Sequence, residues 1–360
     1  MKNTEIGYKN KKWEIVYNEV KKKIESGVYN DKTLKLKDII EEFDISDITA
    51  RRVFNELKKE GLIYSIPKKG TIILTKEKIQ DIYLIVRDES LIYKDALSTQ
   101  IFTRIINGFG LSSLSKLFRK HIFSFNFLLS NKKDFIGKNI IIFAETILRI
   151  EEDKVEVDEK ITEKIKEFHP IIIHSFGKID DFNVVGTDYY TGFLKGVEYL
   201  FNKGHRIIGF ISGDVRNVWF YPRFCGYIDG LKKFGLEIIP EIIKITSGKN
   251  PEEDEKAIEE IMKSNRRPTA ILCGNDLRAI NVLNWCKKNG IKVPDDLSII
   301  GFDNIDETKF TTPQLTTIDS KLELYGDSVL KMLMKRKKGE EIGNIFIKPE
   351  IIERQTVKEV

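Results

Sequence analysis

At 360 residues, with 41% hydrophobic and 10% aromatic side chains, the chain is long enough for two or three compact units and apolar enough to give each a core. No run of about 18 apolar residues offers a membrane span, and the opening MKNTEIGYKNKKW lacks the apolar stretch of a secretory signal, so a cytoplasmic protein without a membrane partner is expected. The net charge of +5 is local: residues 1–76 hold 17 Lys and Arg against 12 Asp and Glu, while the other 284 residues hold 43 of each, so the first fifth of the chain is the part suited to a polyanion.

In chain order, Trp13, Val16, Tyr17, Val20 and Ile24 recur at helical spacing and end near Ser26-Gly27. Leu36, Ile39, Ile40 and Phe43 mark a second, shorter helix, and Asp44-Ile45 turn the chain. Ser46 is a good N-cap for a third helix that buries Ala50, Val53, Phe54 and Leu57 and stops at Gly61. Two short β runs, Leu62–Ile66 and Thr71–Leu74, flank the turn Pro67-Lys68-Lys69-Gly70. Three helices and a basic-tipped hairpin describe a winged helix-turn-helix over residues 1–76.

The outer face of the third helix carries Asp47, Arg51 and Asn55 four residues apart, with Arg52, Lys58 and Lys59 alongside. Arginine can bind guanine bidentately, asparagine can bind adenine, and lysine suits phosphate, so double-stranded DNA is the expected partner. From Trp13 to Leu74, through IESGVY, IIEEFDISDITARRVFNELKKEGLI and PKKGTIIL, the segment resembles the GntR family of bacterial regulators. The most specific part is Ile45, Ser46, Thr49 and Arg51. The resemblance implies DNA contacts at Lys37, Arg51 and Lys69-Gly70, and Ser46, Thr49, Arg52, Asn55 and Lys68 complete the candidate surface. The chain departs from the family at Leu34-Lys35, usually Pro-Ser, and at Asp47, usually Arg, which implies an altered operator preference.

Residues 77–81 read as a short polar linker. From Ile82 onward β-rich runs (IYLIV, IFSFNF, NIIIF, PIIIHS, VVGT, RIIGFIS, EIIKIT, TAILCG, LSIIGF) alternate with helical stretches, the rhythm of parallel βαβ units. In such sheets ligands bind beyond the carboxyl ends of strands. That places Asp188, Asn275-Asp276, Asp303-Asn304 and Arg223, within WFYPRFCGY, at one crevice. Carboxylates, an amide and an arginine suit a polyhydroxylated ligand, and Trp219, Phe220 and Tyr221 could cover the apolar face of a sugar. Each carboxylate can equally cap a helix, Asp276 best of all, and the aromatic cluster can equally be core. Tyr93, Glu89 and Glu145 are further candidates by position after strands.

The same residues carry a second resemblance, to the LacI/GalR regulators and the periplasmic sugar-binding proteins. It runs from about Val184 to Val357, through D-x3-G-x7-L-x3-GHRxIxFI from Asp188, RxxGYxxGL from Arg223, PTAILCGND, GIKVPDDLSIIGFDN, PQLTTI and IIERQT. It implies an effector pocket at Arg223, Asn275 and Asp303, a packing role for His205 and a helix C-cap at Gly204. The implied fold class is α/β: the winged head followed by a periplasmic-binding-protein-like domain of two doubly wound subdomains over residues 82–360. The N-subdomain takes residues 82–186 and 319–343, and the C-subdomain takes 187–318 and 344–360. The LacI hinge helix has no counterpart in the linker.

A GntR-type head on a LacI-type body is the architecture of the arabinose-repressor class. It implies a homodimeric repressor of carbohydrate-utilisation genes, released from operator DNA by a sugar effector, an arabinose-like pentose first. The alternative is a sugar sensor or solute-binding receptor with weak or no DNA binding, which Asp47 favours. No GxSxG elbow, P-loop or GxGxxG is present, so no catalytic residue is assigned. Cys225, Cys273 and Cys286 form no CxxC pair and read as apolar packing, the four histidines lack ligand spacing, and neither a metal site nor a cofactor is expected.

Overall fold

The structure is a computed structural model that describes residues 12–26, 28–29, 34–60, 62–66, 70–73, 80–87, 96–151, 154–247 and 250–360. It divides into two compact units, residues 1–82 with 112–121, and residues 83–111 with 122–360.

In the first unit, α1 (Lys12–Glu25), α2 (Leu36–Phe43) and α3 (Asp47–Lys59) precede an antiparallel hairpin of β1 (Ile63–Ile66) and β2 (Gly70–Ile73). At eight residues α2 is too short to persist alone, and tertiary burial of its apolar side stabilises it. Asp44 closes α2 in the left-handed region at φ 46°, and the Ser46 hydroxyl caps α3 by accepting from the Thr49 amide at 3.3 Å. Val16, Val20, Ile24, Ile39, Ala50, Val53, Phe54 and Leu57 form one buried cluster with Ile63 and Ile73. The third-helix burial pattern is the one its sequence predicts. Gly61 and the wing tip with Lys68 and Lys69 lie outside the described residues.

The body opens with β3 (Gln80–Val86), α4 (Ala96–Leu111), β4 (Phe118–Ser124), α5 (Phe125–Ser130), α6 (Lys132–Phe135) and β5 (Asn139–Phe143). A hairpin of β6 (Leu148–Glu151) and β7 (Lys154–Val157), then α7 (Glu159–Ile165), β8 (Ile171–Ser175) and β9 (Asn183–Thr187), follow. The run IFSFNF is therefore a strand only to Ser124. The Ser124 hydroxyl accepts from the Phe127 amide and starts a helix there, a local cap overriding β-rich composition.

The chain then crosses into α8 (Tyr189–Asn202), β10 (Ile208–Ser212), α9 (Tyr221–Lys233), β11 (Ile243–Ile245), α10 (Pro251–Met262), β12 (Ala270–Cys273), α11 (Asp276–Lys288), β13 (Ser298–Phe302) and β14 (Thr316–Asp319). It returns through α12 (Leu324–Lys337) and β15 (Ile345–Ile347) and ends with β16 (Glu350–Ile352). One six-stranded sheet has the order β15-β9-β8-β5-β3-β4 and the other β11-β10-β12-β13-β14-β16. The β15-β9-β8-β5 and β11-β10-β12-β13-β14 ladders are parallel, and β16 closes the second sheet antiparallel. The boundary expected at residue 344 is corrected: Ile345–Ile347 pairs with β9, so the chain re-enters the second subdomain only after β15. That strand is three residues long, too short to show a period that assigns it to either sheet.

Buried clusters lie on both faces of the second sheet, one beneath α10 and α11 and one beneath α8 and α9. Cys273 and Cys286 belong to the former and Cys225 is half-buried, all three free. Gly204, at φ 94°, turns the chain just past α8, where a Cβ would lie 2.0 Å from the Val360 carbonyl oxygen. His205 is buried beside it and shares a 2.9 Å hydrogen bond with the Thr269 hydroxyl. Among the described residues no helix is long and apolar enough to cross a membrane.

The helices α8 and α9 pack closely because Gly226 leaves room: a Cβ there would sit 2.2 Å from the Tyr190 carbonyl oxygen, a backbone atom that cannot swing aside. Gly226→Ala is expected to lower stability by about 2–3 kcal/mol, the usual overpacking cost. Urea denaturation would check it; an unchanged midpoint would show that the helix pair separates freely.

Candidate functional site

In the body, a cavity of about 310 Å³ is lined from both sheets. Val86, Phe143 and His174 stand at the carboxyl ends of β3, β5 and β8, and Glu145 and Thr146 follow β5 directly. The α4 helix adds Ser98 and Phe102, the β6–β7 hairpin adds Leu148 and Val155, and the loop after β10 adds Asn217 and Trp219. Of the sequence candidates, Glu145 and Trp219 line this cavity, and Arg223, Phe220, Asp188, Asn275 and Asp303 do not. Phe102, Thr146, His174 and Asn217 were missed. His174 ends a strand in PIIIHS, so the rule that selected the other candidates also selects it.

His174 joins the two sides. Its Nδ1 is hydrogen-bonded to Glu145, and its ring stacks on Trp219 with centroids 4.7 Å apart. Its φ of 59° is unusual for a residue other than glycine, a strained backbone held by its surroundings. Trp219 also meets Phe176 and Tyr189 edge-on at 5.2 and 6.2 Å. The Glu145 Oε2 and Thr146 Oγ1 atoms are buried without a hydrogen-bond partner among the described residues, and both residues line the cavity.

Behind Trp219, Arg223 lies against three rings, 4.6 Å from Tyr189, 4.7 Å from Phe302 and 5.3 Å from Phe220. One Nη donates to the Gly274 carbonyl and the other stands 3.5 Å from Asp303, while the buried Nε has no partner among the described residues. Burial raises the Asp303 carboxyl above its ordinary value, and Arg223 opposes that rise. Phe220 also meets Arg278, at 5.1 Å, so its ring has two guanidinium neighbours.

The remaining candidates have local partners. Asp188 caps α8, accepting from the Thr191 amide at 3.0 Å. Asn275, not Asp276, caps α11 by accepting from the Arg278 amide at 3.0 Å. The carboxylate expected as the cap is one residue inside the helix, buried, and accepts instead from the Ile305 amide at 2.9 Å and the Thr317 hydroxyl at 2.5 Å. Asp276 therefore braces the loop carrying Asp303. Arg104 of α4 grips the same loop, donating to the Asp303 carbonyl at 2.8 Å and to Asp319 and Glu323 at 2.8 and 2.9 Å. Tyr93 and Glu89 lie outside the described residues. Among those described, no group of three His, Cys, Asp or Glu residues could hold a metal ion.

On the head, Arg51, Asn55, Lys58 and Lys59 are exposed on α3. Arg51 Nε donates to Asp47 at 2.5 Å, and Lys37 pairs with Glu41 at 3.4 Å. The Arg52 guanidinium lies over the Trp13 ring at 4.2 Å, which ties it to α1. Ser46 and Thr49 share a 2.9 Å hydroxyl pair at the helix start, and Gly70 opens β2 at φ 94°.

A winged helix-turn-helix head and a two-sheet α/β body are the two classes these geometries define. Residues 13–73 match the model of the bacterial regulatory proteins of the gntR family, and residues 197–357 match the periplasmic binding protein-like domain. The chain therefore joins a gntR-type winged helix-turn-helix to a periplasmic-binding-protein-like body. It is 31% identical over 209 residues to the HTH-type transcriptional repressor PurR of Escherichia coli O1:K1, covering 56% of this chain and 61% of that one. The Pectobacterium atrosepticum PurR is 33% identical over 193 residues, covering 52% and 56%. The chain thus spans about three-fifths of the curated relatives it matches.

Two solved structures share the fold. A complex of the transcriptional regulator CelR with cellobiose has a TM-score of 0.60 at 17% identity, covering 87% of this chain and 91% of that one. A LacI family regulator from Enterococcus faecium with bound ribose has a TM-score of 0.60 at 19% identity, covering 78% and 100%.

Because burial raises the Asp276 carboxyl well above its ordinary value, the folded state holds that proton more tightly than the unfolded chain. Its contribution to stability is full below the ordinary carboxylate pKa of about 4 and is lost as pH rises toward the folded value. Asp276→Asn should therefore flatten the decline in stability with rising pH. Denaturation midpoints measured from pH 4.5 to 8 for both proteins check this, and parallel profiles would disprove it.

Proposed function

We propose that the chain is a bacterial transcription repressor: a homodimer that binds operator DNA through α3 and its wing, and releases it when a sugar occupies the cleft of the body. The observation carrying this is the exposed basic face of α3, fixed by a fully buried opposite face, in a chain whose body holds a ligand-sized cavity lined by Glu145, His174 and Trp219 and, outside that lining, the buried Arg223–Asp303 pair. Its relatives named as repressors support the regulatory role, and two winged heads would place two recognition helices in successive half-sites. The activity is binding rather than catalysis, and the setting is the cytoplasm, where the DNA is.

A saccharide effector is supported by the cellobiose and ribose held by the two structural neighbours. The cleft suits it: Trp219 and Phe102 offer apolar faces, and Glu145, Thr146, Asn217 and Ser98 offer polar atoms. An arabinose-like pentose is the first choice. Site occupancy would bias the position of the Asp303 loop, which Arg104 links to α4, by the 1–3 kcal/mol usual for coupled sites.

Two measurements test this. A thermal-shift screen against a sugar panel should find a ligand that raises the midpoint, since saturation at about 100 times Kd adds about 2.7 kcal/mol to stability. That ligand should release operator DNA in a mobility-shift assay. Arg223→Ala and Asp303→Ala should each remove the response while unliganded DNA binding persists, and a normal response in either variant would refute the pocket assignment. Arg51→Ala should remove sequence-specific binding from a folded protein; unchanged operator affinity would refute α3 as the reading helix, and a wild type that shifts no operator DNA would favour a receptor that does not read DNA.

A further inference from the structure

The start of α3 holds an acidic residue on a face otherwise suited to a polyanion. A carboxylate there repels phosphate and lowers affinity for any duplex. As the first helical residue Asp47 suits the helix dipole, yet its side chain is turned along the helix to Arg51. The Asp47 and Arg51 side chains are 53% and 67% exposed, and a solvent-exposed pair of this kind contributes little to folding. Stability therefore does not explain the arrangement.

Its geometric effect is larger. With Nε held by Asp47 at 2.5 Å, the guanidinium plane is fixed, and the two Nη groups have no partner among the described residues. Two adjacent N–H donors match the O6 and N7 acceptors of guanine. The neighbouring cations are placed differently: Arg52 lies on Trp13, Lys37 pairs with Glu41 and Lys59 pairs with Glu56.

We propose that Asp47 is a positioning residue for base recognition, holding Arg51 by its Nε so that the Nη edge meets a guanine in the major groove. The chain would then require one G·C pair at a fixed place in each half-site, at the expense of affinity for DNA in general. This rests on the head being a DNA reader, and the test separates the two ideas. Full-length wild type, Asp47→Asn, Asp47→Glu and Arg51→Ala are bound to a randomised duplex library, and the bound fraction is sequenced.

Wild type should show a guanine preference that Arg51→Ala loses by roughly 5- to 150-fold, the range for a bidentate pair. Asp47→Asn should lose about 5-fold or more of that preference at the same position while binding unselected duplex more tightly. Asp47→Glu, which keeps the carboxylate, should retain part of it. If Asp47→Asn keeps the full preference and merely binds every sequence more tightly, Asp47 only repels phosphate and the proposal is overturned. A wild-type protein with no base preference would overturn the DNA-reading assignment itself.

Discussion

Arg223 is the buried charge around which the second sheet's carboxyl edge is arranged. A guanidinium this deeply buried is tolerated only because Gly274, Asp303 and three aromatic faces together replace the water it has lost. Removing one partner from a buried pair of this kind typically costs about 3–5 kcal/mol, far more than the pair gains over an apolar replacement. The buried Arg223 Nε has no partner among the described residues, so part of its hydrogen-bonding capacity remains unused.

The second partner of that charge transmits as well as balances. Asp303 presents its carboxyl to Arg223 and its backbone carbonyl to Arg104 of α4, whose own guanidinium reaches Asp319 and Glu323 at the crossover between the sheets. Asp276 and Arg354 hold the adjoining residues, through the Ile305 amide and the Asn304 side chain. The loop carrying Asp303 is therefore braced from several sides, with few ways to yield.

The head works by the opposite rule. Its candidate DNA surface is the exposed side of a helix whose other side is packed into the core. Rigidity comes from Ala50, Val53, Phe54 and Leu57, and information from what stands outside. The Asp47–Arg51 pair belongs to that outer side, where an ion pair has little effect on folding.

Much of this was legible in the sequence because it is written in short-range periodicity. The apolar stripes of the three head helices, Ser46 as a cap and the alternation of strands with helices each depend on neighbours a few residues apart. Strand ends also pointed to Asp303 and Glu145, which follow β13 and β5 closely. What the chain did not reveal depends on pairs distant in sequence. Asn275 rather than Asp276 caps its helix because Thr317 and Ile305 claim the aspartate. His174 enters the cleft because Trp219, 45 residues on, offers it a face. Strand Ile345–Ile347 joins the first sheet because β9 supplies its ladder. The sequence determined the elements and the kinds of chemistry each end could offer, through local sterics and hydrophobic period. Only the tertiary structure decided which of those polar groups are consumed by the fold and which line the cavity, because desolvation and hydrogen-bond competition are settled between distant segments.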